Sequence, residues 1–255
     1  MRIHYERRGS GPLLVLLHGI GSNSGSFRHQ LADLSDKWTV VAWDAPGYGR
    51  SDDPRQPFTL SDLADHVVSL LDELEVERAH VLGVSMGGVV AQLVYHRHPR
   101  RVHSLILVDT NPGGGGLPEP ERSARVQGRL DALERLGPRG MAEARAPHLL
   151  RPDAPAELLA EVTEIMAEVR PAGYRAAAVA LGQTDLTALL GGIDVPTLVI
   201  HGAQDKVVPP ETGGVLAASI PGARFVLIPD AGHVSNQEQP AAFNAAVRRF
   251  LEDRN

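Results

Sequence analysis

Gly83-Val84-Ser85-Met86-Gly87-Gly88 lies between a short apolar run, Ala79 to Leu82, and a helical period marked by Val89, Val90, Leu93 and Val94. A strand that passes at once into a helix needs a tight corner, and the corner residue is pushed into a strained backbone angle. Glycines on both sides permit it, because a side chain at Gly83 or Gly87 should collide with the neighbouring strand or helix. Ser85 would then stand at a helix N-terminus, where the dipole favours developing negative charge. The helix should close before Pro99, since the residue ahead of a proline avoids helical angles.

Further strand-like runs flank this turn. Ile3 to Arg7 suits a short edge strand, and Gly9-Ser10-Gly11 turns it back into Pro12 to Leu17. Trp38 to Trp43, Val102 to Val108, Thr197 to Ile200 and Arg224 to Ile228 follow. Such short runs without alternation fit strands buried on both faces, as in a parallel sheet. Leu60, Leu63, Ala64, Val67, Leu71 and Leu74 share one helix face, with Thr59 and Asp62 as a capping box. Phe243, Val247, Phe250 and Leu251 mark a last helix, with Ser235 and Glu238 at its start. Strands alternating with helices predict right-handed βαβ units in one α/β domain.

From about Asn111 to Asp194 the rhythm breaks. Gly113 to Gly116 open a stretch with no strand signal, and helical segments are expected at Glu121 to Leu136, Ala156 to Val169 and Ala172 to Leu181. Seven prolines between Pro118 and Pro171 punctuate it. The expected organisation is a core of residues 1–110 and 195–255, with residues 111–194 as a helical cap over the carboxyl edge of the sheet, where such folds bind ligands.

The 255 residues are 43% apolar and 22% charged, enough to bury a sizeable core. A net charge of −6 argues against nucleic-acid binding. The absence of cysteine excludes disulfides, thiolate metal sites and a cysteine nucleophile. Apolar runs such as Leu13 to Leu17 are far too short to span a bilayer, and Met1 to Gly11 lack a signal-peptide h-region. A cytoplasmic protein without a membrane or nucleic-acid partner is expected. The sequence is compatible with a homo-oligomer.

A serine hydroxyl needs a base. Of 11 histidines, His233 in Ala231-Gly232-His233 follows the last strand and falls at the same sheet edge as Ser85. His96 and His98 sit two to three turns down the helix after Ser85. His4, His29, His66, His103, His148 and His201 lie in early segments, inside predicted elements or in unsuitable loops. A third group should fix the imidazole tautomer. Asp205 and Asp109 both follow strands; Asp205 is favoured by the chain order Ser, Asp, His. Asp109 would instead cap or orient the entrance of the cap. An oxyanion needs two donors, expected from the N–H of Met86 and the N–H of Ile20 in His18-Gly19-Ile20-Gly21. His18 is read as a structural residue of that loop. Asp44 to Asp52 lack a Gly-Lys-Ser/Thr phosphate loop and are read as support for the rim of the site. No His/Asp/Glu group has metal-ligand spacing, and no cofactor is expected.

His18 to Gly21, Asp44 to Asp52, Gly83 to Gly88, Val195 to Asp205 and Gly232-His233, in this order, resemble the α/β-hydrolase superfamily. The resemblance spans nearly the whole chain. It implies the α/β-hydrolase fold, a mostly parallel sheet flanked by helices with a cap inserted between two strands. It also implies Ser85 as nucleophile, Asp205 as acid, His233 as base, and Ile20 and Met86 as oxyanion donors. His233 to Pro240 with Phe243-Asn244, Gly173-Tyr174, Ala180-Leu181, Asp185-Leu186 and Pro209-Pro210 are similar to bacterial 3-oxoadipate enol-lactonases and to other small carboxylesterases. The implied activity is acyl-enzyme hydrolysis of a small ester or lactone, such as an enol-lactone. A substrate carboxylate would need a cap cation, for which Arg122, Arg125, Arg129, Arg170 and Arg175 are candidates. Alternatives on the same fold are a C–C bond hydrolase of ring-cleavage products, a cofactor-free perhydrolase and a non-enzymatic ligand receptor. The C–C hydrolases usually carry Asn where this chain has Val84, and Pro where it has Ser22.

Overall fold

Leu13, Val15 and Leu17 turn to one face of a strand and Leu14 and Leu16 to the other, and all five are buried. A strand covered on both sides gains from apolar residues at every position, which explains its unbroken Leu/Val run. The computed structural model describes residues 1–54 and 58–253. Its strands are β1 (Tyr5–Arg8), β2 (Leu13–Leu17), β3 (Thr39–Trp43), β4 (Ala79–Val84), β5 (Val102–Val108), β6 (Thr197–Gly202) and β7 (Arg224–Ile228). They form one sheet in the order β1-β3-β2-β4-β5-β6-β7. Only β1 runs antiparallel to its neighbour; the other pairs are parallel.

The helices are α1 (Arg28–Asp33), α2 (Leu60–Glu73), α3 (Met86–Arg97), α4 (Glu121–Leu149), α5 (Ala156–Ala167), α6 (Pro171–Gln183), α7 (Pro210–Ser219), α8 (Ser235–Glu238) and α9 (Pro240–Glu252). One core joins a sheet face to α2, α3 and the helices of the segment between β5 and β6. The other joins the opposite face to α1 and α9. The predicted capping box is present: Thr59 Oγ1 accepts from Asp62 N, and the Asp62 carboxylate accepts from Thr59 N.

The chain leaves β2 to one side for β3 and returns on the other side for β4, so the order reverses between β2 and β4. A crevice opens at such a point because the two following loops part to opposite faces. Leu17 pairs with Gly83, Val84 with Val108, Val108 with Ile200, and Gly202 with Ile228. The carboxyl ends of five strands are thereby aligned, and the loops after them form one rim.

Four expectations are corrected. β7 is not buried on both faces: it is the edge strand, and Phe225 and Leu227 are exposed. β6 runs on through His201 and Gly202. Ser235 to Glu238 form the separate helix α8, and α9 starts at Pro240, which cannot donate into the preceding turn. The first inserted helix continues past Leu136 after a kink at Gly137 (φ 65°, ψ 177°), with Pro138 opening the second limb. Proline is suited to a first helical turn, whose N–H groups lack intrahelical acceptors, so Pro138 starts a limb where the sequence suggested an end.

Candidate active site

Ser85 N–H donates to Val108 O (2.8 Å), Thr110 Oγ1 donates to Ser85 O (2.6 Å), and Gly88 N–H donates to Ser85 O (2.9 Å). These bonds hold Ser85 at φ 53°, ψ −116°, a strained angle for a non-glycine residue. The flanking glycines are needed for contact. A Cβ on Gly83 would stand 2.1 Å from Gly87 O, and one on Gly87 would stand 2.0 Å from Leu17 O.

His233 follows β7 and lies within reach of Ser85, its Nε2 2.9 Å from Ser85 Oγ. Its Nδ1 is 2.8 Å from Asp205 Oδ2. With Nδ1 protonated and donating to the carboxylate, Nε2 is free to accept the serine proton. Asp205 Oδ1 accepts from Val207 N (2.8 Å) and Val208 N (3.0 Å). Burial alone would push the Asp205 carboxyl up, but hydrogen bonds from His201 and His233 outweigh it and hold the group well below the usual carboxylate range.

His201, set aside in the sequence with the histidines that lie inside predicted elements or in unsuitable loops, is part of this assembly. Its Nε2 lies 3.2 Å from Asp205 Oδ2 and 2.8 Å from Val208 O. Burial lowers its basicity, but Asp205 and Asp109 more than restore it. The signal available was its place four residues before Asp205 at a strand end. Helix α7 packs so closely that a Cβ on Gly213 would stand 2.4 Å from His201 Nδ1.

Asp109 does not orient the cap entrance. Its Oδ1 accepts from Gly202 N (2.8 Å), and its Oδ2 accepts from Ser235 N (3.0 Å) and Ser235 Oγ (2.7 Å). It ties the end of β6 to the loop after His233, and burial raises its pKa. The fold gathers ligand atoms of Asp109, His201 and Asp205 within 4.8 Å, which no sequence spacing foretold. The carboxylate oxygens of both aspartates already accept from backbone and side-chain donors, so the cluster fits a hydrogen-bonded anchor and not a metal site.

Ile20 lies in the loop after β2 and lines the first cleft with Ser85, and Met86 opens α3 and lines the second with it. Neither N–H donates to a protein acceptor among the described residues. The loop closes on Ser85: a Cβ on Gly19 would lie 3.2 Å from Ser85 Cβ. His18 Nε2 accepts from Ala45 N (3.0 Å) while Nδ1 donates to Gly19 O (2.8 Å), and burial lowers its pKa and keeps it neutral. Asp44 accepts from Ser24 N (2.8 Å) and Arg50 N (2.9 Å), which fixes the loop from below.

The inserted helices reach the same rim. His233 N–H donates to Leu149 O at the end of α4 (2.7 Å), and Glu238 accepts from Gly232 N (2.6 Å) and Arg151 N (2.9 Å). Glu238, read in the sequence as part of a helix start, is a clamp between the His233 loop and the insertion. Of the cap arginines singled out, Arg122, Arg125, Arg170 and Arg175 pair with Glu119, Glu121, Asp53 and Glu134. Arg129 instead faces the cleft above Ser85.

The family described as alpha/beta hydrolase fold matches residues 12–240. A 3-oxoadipate enol-lactonase of Acinetobacter baylyi is 30% identical over 245 residues, 94% of this chain and 89% of that one. A solved thermophilic esterase from Thermogutta terrifontis superposes with a TM-score of 0.91 at 30% identity, over 98% of this chain and 93% of the other. The enol-lactonase of Burkholderia xenovorans LB400 gives a TM-score of 0.88 at 31% identity, over 98% and 96% of the two chains.

Proposed function

The chain belongs to the alpha/beta hydrolase fold family and is a hydrolase, and on that premise we propose that it cleaves small esters or lactones through an acyl-enzyme on Ser85. The observation that carries this reading is His233 spanning Ser85 Oγ at 2.9 Å and Asp205 Oδ2 at 2.8 Å. Residues 111–194 serve as the cap that encloses the substrate.

In the proposed cycle Ser85 Oγ gives its proton to His233 Nε2 and bonds to the carbonyl carbon. The carbonyl oxygen becomes an oxyanion, held by the N–H groups of Ile20 and Met86. Asp205 keeps the imidazole in the right tautomer and balances the imidazolium. The carbon–oxygen bond to the leaving group breaks, and His233 returns the proton to that oxygen. Water then loses a proton to His233, attacks the acyl carbon, and Ser85 is released with its hydroxyl restored. In a lactone the leaving oxygen stays tethered, so the ring opens; a released enol would relax to a ketone. The similarity to enol-lactonases supports a small lactone or ester as the substrate class.

The test is covalent labelling. A fluorophosphonate should add once to the wild type and not to Ser85→Ala, with unchanged circular dichroism and Tm for the variant. Equal labelling of Ser85→Ala by intact mass would refute the assignment, as would a wild type inert to the probe and to a panel of esters and lactones.

A further inference from the structure

Two clefts meet at Ser85 beneath the inserted helices. No Asp or Glu lines either cleft among the described residues. Arg129 lines both, Arg145 lines the first, where His233 and Ile20 also lie, and Arg122 and Arg125 line the second. The rest of that wall is largely apolar, with Leu149, Val162 and Met166.

These two arginines differ from their neighbours. On the same helix, Arg122, Arg125 and Arg139 pair with Glu119, Glu121 and Glu164, and Arg135 is exposed to solvent. Arg129 and Arg145 have neither an ion pair nor a hydrogen bond among the described residues, in a chain of net charge −6. Burial lowers the pKa of Arg129, and the like charge of Arg145 lowers it further. Two half-buried guanidiniums that line one cleft without an acid repel each other at a cost in stability. An anionic ligand would relieve that cost.

The kink in α4 makes the pairing. Arg129 and Arg145 belong to its two limbs, and in a straight helix they would stand roughly 24 Å apart along the axis. The kink at Gly137 redirects the second limb, and Arg129 and Arg145 both line one cleft.

We propose that Arg129 and Arg145 form an anion subsite, and that the substrate is an acidic ester or lactone whose carboxylate or phosphate sits in the first cleft while its carbonyl meets Ser85. The proposal rests on the serine-hydrolase reading for the second half of that statement. Guanidinium forks bind either oxyanion in bidentate fashion, so the two groups share one chemistry here. The second cleft, whose Arg122 and Arg125 are already paired with Glu119 and Glu121, takes the uncharged remainder along Thr110, Asn111 and Leu181.

The experiment compares three 4-nitrophenyl esters of equal chain length, ending in methyl, carboxylate or phosphate. The wild type should favour one acidic ester over the neutral one by at least about tenfold in kcat/KM. The favoured acid identifies the group. Arg129→Met and Arg145→Met should each cut that selectivity ratio about tenfold through KM, and Arg129→Lys should keep part of it. A wild type without acid preference, or variants that lose both substrates in equal proportion, would overturn the subsite. Glutarate and inorganic phosphate titrated calorimetrically into Ser85→Ala separate the two readings. Binding that disappears with Arg129→Met supports the subsite even if no ester is turned over. Absence of binding in a protein whose wild type still takes the fluorophosphonate overturns the subsite alone.

Discussion

Asp205 Oδ2 faces two imidazoles, His233 at 2.8 Å and His201 at 3.2 Å, while Asp109 next to them binds only backbone and Ser235. The two aspartates should therefore respond differently to the same change. Asp205→Asn is expected to lower kcat on the order of 10⁴-fold, because the amide favours the wrong imidazole tautomer. Asp109→Asn places an N–H₂ against the donors of Gly202 or Ser235 and should cost about 1–3 kcal/mol of stability, with a much smaller kinetic effect. Steady-state kinetics and thermal unfolding of the pair check this; a larger kcat loss for Asp109→Asn would reverse the roles. The Asp205 carboxyl is held below its unfolded value, so the unfolded state binds its proton more readily. Its stabilisation is then complete above about pH 4 and fades as the pH falls further. The gap in Tm between wild type and Asp205→Asn should narrow in acid, and a gap that widens below pH 4 would contradict the sign.

Among the elements, α4 carries the greatest consequence. Gly137 at φ 65° and ψ 177° occupies a region open to glycine almost alone, and a Cβ there meets nothing within 4 Å. The cost of Gly137→Ala is thus conformational, about 1–3 kcal/mol. Since the two limbs bring Arg129 and Arg145 together, the variant should raise KM for an acidic ester more than it lowers kcat. Thr59→Ala provides the contrast. It removes the cap of α2 and should cost about 1 kcal/mol with kcat and KM unchanged, because α2 packs chiefly on α3 and none of its residues lines either cleft. Matching kinetic profiles for the two variants would argue against a role for the kink.

For the molecule as a whole, a net charge of −6 surrounds a cleft lined with unpaired cations. Salt screens exposed charges over about 8–10 Å at physiological strength, so a cation pair inside a negatively charged shell should lose attraction for its anion as salt rises. Raising sodium chloride from about 0.05 to 0.5 M should increase KM for the acidic ester severalfold and leave that of the neutral ester nearly constant. A common salt response would count against charge recognition. Legibility at this scale follows from how local each signal is. The apolar runs match β5 and β7 to the residue, and its glycines mark Ser85, since apolar runs and tight turns are written in neighbouring positions. Helices α1 and α7 gave no such pattern, being short or rich in glycine and alanine. Alone, the sequence determined the layered α/β architecture, the strained serine corner and which polar residues fall at strand ends. Only the tertiary structure decided that His201 lies on Asp205, that Asp109 binds Gly202 and Ser235, and that Arg129 and Arg145 go without an acid. Periodicity records which face of an element avoids water, but whether a charge finds its partner depends on which distant segments the fold brings within about 4 Å.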